Sequence, residues 1–163
     1  MEFGISYVIV FYKFVDEVTP EYTEEVRSRI SQNQHAHVYV FQNSQPEFGI
    51  ASTDITLYSS VLSIEEMSAV LFDAMDGNVV FGTRKEPGKR NIIIDKLKIR
   101  YDFEGENSEE YVKQIYNYMP NDKNNFIHYG NSSLYIWTKL DIEGATDLVL
   151  NAIENMDEPA YLV

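Results

Sequence analysis

Lys96, Lys98 and Arg100 alternate with Leu97 and Ile99 in the run IIIDKLKIRYDF, and Tyr135, Trp137 and Lys139 alternate with Leu134 and Ile136 further on. A period of two assigns each set to one face of a strand. If Leu134, Ile136 and Leu140 point inward with Ile93, Leu97, Ile99, Tyr101 and Phe103, the cations and aromatic rings share the other, wet face. Rings interleaved with cations on an open sheet can stack bases and hold phosphates. The pattern lacks the Lys-Gly-Phe-Gly-Phe form of RNA-binding sheets, and the chain as a whole is acidic, so nucleotide or RNA binding is an alternative reading and not the main one.

Other chemistry is sparse. His35 and His37 stand two residues apart and could share a face with a third ligand such as His128. Half a metal constellation arises often by accident, and no metal is expected. Two-histidine phosphoesterases carry a hydroxyl two residues after each histidine. Here His37 is followed by Val38 and Tyr39, and His128 by Tyr129 and Gly130. The sequence also lacks a phosphate-binding glycine loop, a Gly-x-Ser-x-Gly elbow, a His-Glu-x-x-His pair and any cysteine. No catalytic residue and no cofactor is expected.

Charge is the strongest compositional signal. Thirteen Lys plus Arg face 26 Asp plus Glu, a net charge of −13. Between Arg84 and Arg100 lie seven basic and two acidic residues, a local +5 that leaves −18 for the rest. Such a field repels nucleic acid and anionic membrane and steers a basic protein inward. Many acids have a local explanation, since Glu21, Glu24, Glu25, Glu109 and Glu110 lie in or near first helical turns, where they complement the helix dipole. Asp16, Glu17, Glu104 and Glu106 in the preceding loops extend them into two acidic ends.

The elements that must position these groups come in two rounds. LSIEEMSAVLFDAM (62–75) resembles LDIEGATDLVLNAI (140–153) at an offset of 78, with the same apolar helical stripe and matching N-caps at Ser63 and Asp141. TEEVRSRI (23–30) resembles SEEYVKQI (108–115) at an offset of 85. Strand-like runs at 5–14, 37–42, 48–58, 79–82, 92–103, 125–129, 134–140 and 160–163 complete a β-α-β-β-α-β order in each half. The expected fold is α+β, a tandem duplicated ferredoxin-like (βαββαβ)2 sandwich of antiparallel sheets with helices on one face. Its repeats span 1–83 and 92–163, joined by a basic connection at 84–91 and packed as one compact unit.

Both alternating sets of ISYVIVFYKF are apolar, so both faces of that strand should be covered, within the chain or by a second copy of it. The run follows Glu2, lacks a cleavage site and is too short to cross a membrane as a helix, so it reads as a strand and not a leader. A cytoplasmic protein without membrane contact is expected. The functional expectation is an acidic, non-enzymatic binding protein that neutralises a basic protein, such as an immunity protein for a toxin or a phage-type inhibitor that mimics nucleic-acid charge. Its partner-binding acids would be Asp16, Glu17, Glu21, Glu24, Glu25, Glu104, Glu106, Glu109 and Glu110. A tandem domain sensing a small ligand is the alternative from another class.

Overall fold

Apolar periodicity and capping place the four helices. α1 (Pro20–Gln32) has proline in its first turn, and the Tyr22 N–H donates to Thr19 Oγ1 at 3.1 Å. α2 (Ile64–Ala74) starts with a complete capping box between Ser63 and Glu66. α3 (Ser108–Tyr118) follows Asn107, which is left-handed and makes no side-chain cap bond. α4 (Ile142–Glu154) is capped by Asp141, whose carboxylate accepts from the Gly144 N–H at 2.7 Å. The strands are β1 (Glu2–Phe14), β2 (Tyr39–Val40), β3 (Ile55–Ser59), β4 (Val79–Phe81), β5 (Arg90–Glu104), β6 (Asn125–Gly130), β7 (Ser133–Thr138) and β8 (Tyr161–Leu162). The computed structural model describes residues 1–32, 37–40, 54–61, 63–120, 122–156 and 160–163. The strand expected at 48–58 is therefore seen only as β3, and most of its first half lies outside the described residues, as does His35.

The α+β class holds, and the chain forms two compact units. By their nesting in the sequence alone, the unit of residues 9–95 is termed inner and that of residues 1–8 with 96–163 outer. This division cuts through β1 and β5, which each give one end to either unit.

In the inner unit the strand order is β2-β3-β1-β5, with β4 parallel to β5 through Val79↔Arg90 and Phe81↔Ile92. Val26 and Ile30 of α1 and Met67, Leu71 and Ala74 of α2 are buried with Ile9 to Tyr12 of β1. Tyr12 sits with its hydroxyl 2.8 Å from Ser68 Oγ on α2, and the Phe14 ring lies 5.9 Å from that of Tyr22 on α1. In the outer unit the order is β1-β5-β7-β6, with β8 parallel to β1 through Phe3↔Leu162. Tyr111, Val112 and Ile115 of α3 and Ala145, Val149 and Ala152 of α4 face Ile99, Tyr101, Leu134 and Ile136 in its core. Tyr101 sits 2.9 Å from Thr146 Oγ1 on α4, and Phe103 lies 6.0 Å from Tyr111 on α3.

Two details differ from the sequence expectation. A ferredoxin-like unit pairs its fourth strand antiparallel with its own first strand. Here β5 lies beside β1 and takes that edge, so the two- and three-residue strands β8 and β4 pair in parallel with β1 and β5. Burial on both faces of β1 is real from Val8 to Tyr12, but Ile5 is exposed.

Two stability predictions follow from these contacts. Ser63→Ala and Asp141→Ala should each cost about 1 kcal/mol, read from the urea midpoint. Burial pushes Tyr12 and Tyr101 up to about 12, only partly offset by their hydroxyl partners. Both groups hold their proton more tightly folded than unfolded, so stability is intact below pH 10 and is lost as pH rises through 12. The loss should be on the order of 2 to 3 kcal/mol per tyrosine, measured by denaturant unfolding across that window. Tyr101→Phe should flatten the slope.

Candidate functional site

The antiparallel pairing of β5 with β7 sets Lys98 opposite Trp137 and Arg100 opposite Tyr135. The alternation expected from sequence thus brings these four side chains together in the outer unit, and Tyr7 of β1 joins them. The Lys98 ammonium lies 4.8 Å from the Trp137 ring centre, 5.2 Å from Tyr135 and 5.6 Å from Tyr7. Arg100 lies 5.6 Å from Tyr135 and 5.8 Å from Tyr7. Phe126 of β6 meets Trp137 edge-on at 5.4 Å, and His128 lies 6.1 Å from Tyr135.

This face is less wet than expected. Lys98 is only 8% exposed, and burial, followed by the neighbouring Arg100, pushes its pKa down. Three ring faces solvate the ammonium where water would otherwise do so. The protein's own lysine fills the place a bound cation would take in an aromatic cage, and the rings it covers are not free platforms for bases. Trp137 Nε1 is buried without a hydrogen-bond partner. Lys96 is half-buried and stands in no ion pair among the described residues, and Lys139 is exposed just past the end of β7. Leu140, expected in the core, is exposed. β7 ends at the buried Thr138, whose hydroxyl donates to Asn125 Oδ1 at 2.6 Å, and Leu140 lies past the strand.

Beside the cage, Asp102 accepts from Arg100 Nε at 2.8 Å and from the Ser133 hydroxyl at 2.6 Å. Burial would raise its pKa, but the bonds from Ser133, Arg100 and Ser6 hold it below the ordinary carboxylate value. Arg100 is thereby spent largely on its own strand.

All nine acids singled out from sequence are exposed, but the two ends differ. In the inner unit Asp16 binds Lys85 at 2.6 Å, Glu24 binds Arg27 at 3.2 Å and Glu25 binds Arg29 at 2.6 Å, which leaves Glu17 and Glu21. In the outer unit Glu104, Glu106, Glu109 and Glu110 surround the start of α3, and among the described residues none is within ion-pair distance of a cation. The basic band is similarly engaged: Arg84 and Lys89 meet Glu86, and Arg90 lies 4.2 Å over the Tyr22 ring.

Sequence reasoning missed one feature. In the inner unit α2 turns a second side, with Ile64, Ser68 and Ala69, toward Phe81 of β4, the Gly82 that follows it and the 92–94 stretch of β5, and borders a trough of about 610 Å³. Phe72, Phe81, Ile93 and Ile94 line it while remaining 43%, 42%, 36% and 42% exposed. The signal was present: α2 has apolar residues on more sides than one core stripe requires, and Ile93 and Ile94 are consecutive.

His37 is exposed and left-handed at φ 66°, and His128 is exposed on β6. Among the described residues no group of three His, Cys, Asp or Glu side chains could hold a metal ion. No described helix is long and apolar enough to cross a membrane. The chain matches no known protein-family model and no curated protein.

Trp137 is the sole tryptophan, so its fluorescence reports on the cage directly. With Lys98 filling the rings, titration with single-stranded RNA or ATP should leave the emission unchanged. Salt-sensitive quenching that is lost in Lys98→Ala would restore the base-stacking reading.

Proposed function

We propose that this protein is an acidic binding module that takes a basic protein and neutralises it by covering its cationic surface, in the manner of an immunity protein or a nucleic-acid-mimicking inhibitor. The observation that carries this reading is the outer-unit acidic end. Glu104, Glu106, Glu109 and Glu110 are exposed, and no described cation in the chain offsets them. Helix-dipole complementarity accounts for Glu109 and Glu110 but not for Glu104 and Glu106 in the preceding turn. The inner-unit end, where Asp16, Glu24 and Glu25 are already paired, would contribute less.

We further infer that the two rounds of elements are copies of one βαββαβ unit. Tyr12 and Tyr101, Phe14 and Phe103, and Tyr22 and Tyr111 are each 89 positions apart and make the same contacts, the tyrosine hydroxyls meeting Ser68 and Thr146, themselves 78 apart. On this reading the offset of 85 suggested by TEEVRSRI and SEEYVKQI is one helical turn short. Such a slip preserves the apolar stripe and so is invisible to periodicity.

Reversing Glu104, Glu106, Glu109 and Glu110 to lysine should abolish retention of a basic partner in affinity capture at low salt. The same change at Asp16, Glu24 and Glu25 should have a smaller effect. Partner retention that survives both the outer-unit reversal and high salt would sink the electrostatic reading.

A further inference from the structure

The trough of the inner unit leaves large apolar side chains exposed, and its chemistry specifies an occupant. Its volume of about 610 Å³ falls in the range of small-ligand cavities, but four large side chains on its walls stay more than a third exposed. A small molecule lying there would remain bathed in water on one side. A second surface that both fills and covers the trough suits it better, and the wall formed by α2 gives it the length of a helix of two to three turns.

Charge selects the kind of surface. From Ile64 to Ala74, α2 carries Glu65, Glu66 and Asp73 and no basic residue. Glu66 is used in the capping box. Glu65 and Asp73 are exposed eight residues apart, about 12 Å along the helix axis. The cations that follow Gly82 in the chain are already paired: Arg84 lies 3.2 Å from Glu86 and Lys85 2.6 Å from Asp16. Ser68 and Ala69 keep the α2 wall low between Ile64 and Phe72, leaving room for apolar side chains of an incoming helix.

We propose that the trough docks a cationic amphipathic helix of the basic partner, apolar stripe down against Ala69, Phe72, Phe81 and Ile94, with lysines or arginines reaching Glu65 and Asp73. This rests on the binding-module reading above and names the segment of the partner that is recognised. It is helix-in-groove recognition with apolar anchors for affinity and end charges for orientation.

The test is titration of the isotope-labelled full chain, followed by amide NMR shifts, with three synthetic 14-residue helical peptides of one apolar stripe whose polar positions are all Lys, all Glu or all Gln. Shifts confined to 64–73 and 81–94 are expected with the Lys peptide. Ala69→Arg, at an exposed position, should weaken this binding by about tenfold or more by filling the trough. The double variant Glu65→Lys with Asp73→Lys, which fills nothing, should transfer the preference to the Glu peptide. Equal binding of the Gln and Lys peptides overturns the cationic occupant. A concentration-dependent dimer without peptide, dissolved by Ala69→Arg in sedimentation, assigns the trough to a second copy and overturns it too. Shifts centred on 104–110 overturn the trough and leave the wider reading standing. If no peptide binds, trough docking falls; the wider reading falls with it only if reversal of Glu104 to Glu110 also leaves basic-partner capture unchanged.

Discussion

The adjacency of β1 and β5 is the constraint on which the rest depends. Each is long, 13 and 15 residues, and each gives one end to either compact unit. Because β5 occupies the edge of β1 that a fourth strand would otherwise use, β4 and β8 are left with short parallel pairings. The same constraint accounts for the composition of β1. Along its middle, five consecutive side chains from Val8 to Tyr12 are buried, which an alternating amphipathic strand would not tolerate.

The two buried tyrosines show how the layers are fixed. A ring that spans from sheet to helix buries a large apolar area, and its hydroxyl must then find a partner at one defined height. Ser68 and Thr146 supply it, each on the helix that follows the hairpin of its round. Nonspecific burial would allow α2 or α4 to slide by a turn. The hydroxyl pair does not, since a slide would strand two polar groups in an apolar layer. Ser68 sits at the boundary between the core stripe of α2 and the side that walls the trough, so the bond to Tyr12 also sets how deeply that wall stands.

What could be read from the sequence was local. Ser63 with Glu66, Asp141 with Gly144, and Thr19 with Pro20 mark helix starts by chemistry contained in four or five residues. The alternation of Lys98 and Arg100 against Tyr135 and Trp137 likewise gave the correct neighbours. Hidden features were those settled by distant parts of the chain. The strands β4 and β8 are too short to carry a pattern, so nothing local says which neighbour they choose. Leu140 was expected in the core and is exposed because β7 ends at Thr138, whose buried hydroxyl is satisfied by Asn125, thirteen residues earlier. Lys98 was expected in water and is covered, a distinction that depends on Tyr7 reaching it from β1. The trough arises where three elements leave an unfilled space, and no single stretch encodes it.

The parallel pairing of β8 with β1 has a consequence for how the chain comes to its folded state. Glu2 and Phe3 find their partners at Tyr161 and Leu162, nearly the whole sequence away. The inner unit has all its residues once Asp95 has been synthesised. In chain order the first residues of β1 therefore meet their neighbour β5 only after the inner unit is complete in sequence, and their parallel partner β8 later still. Phe3, buried against Tyr101 and Phe103, is thus held by contacts about a hundred residues away, and the N-terminal end of β1 is the part of that strand whose neighbours come last in the chain.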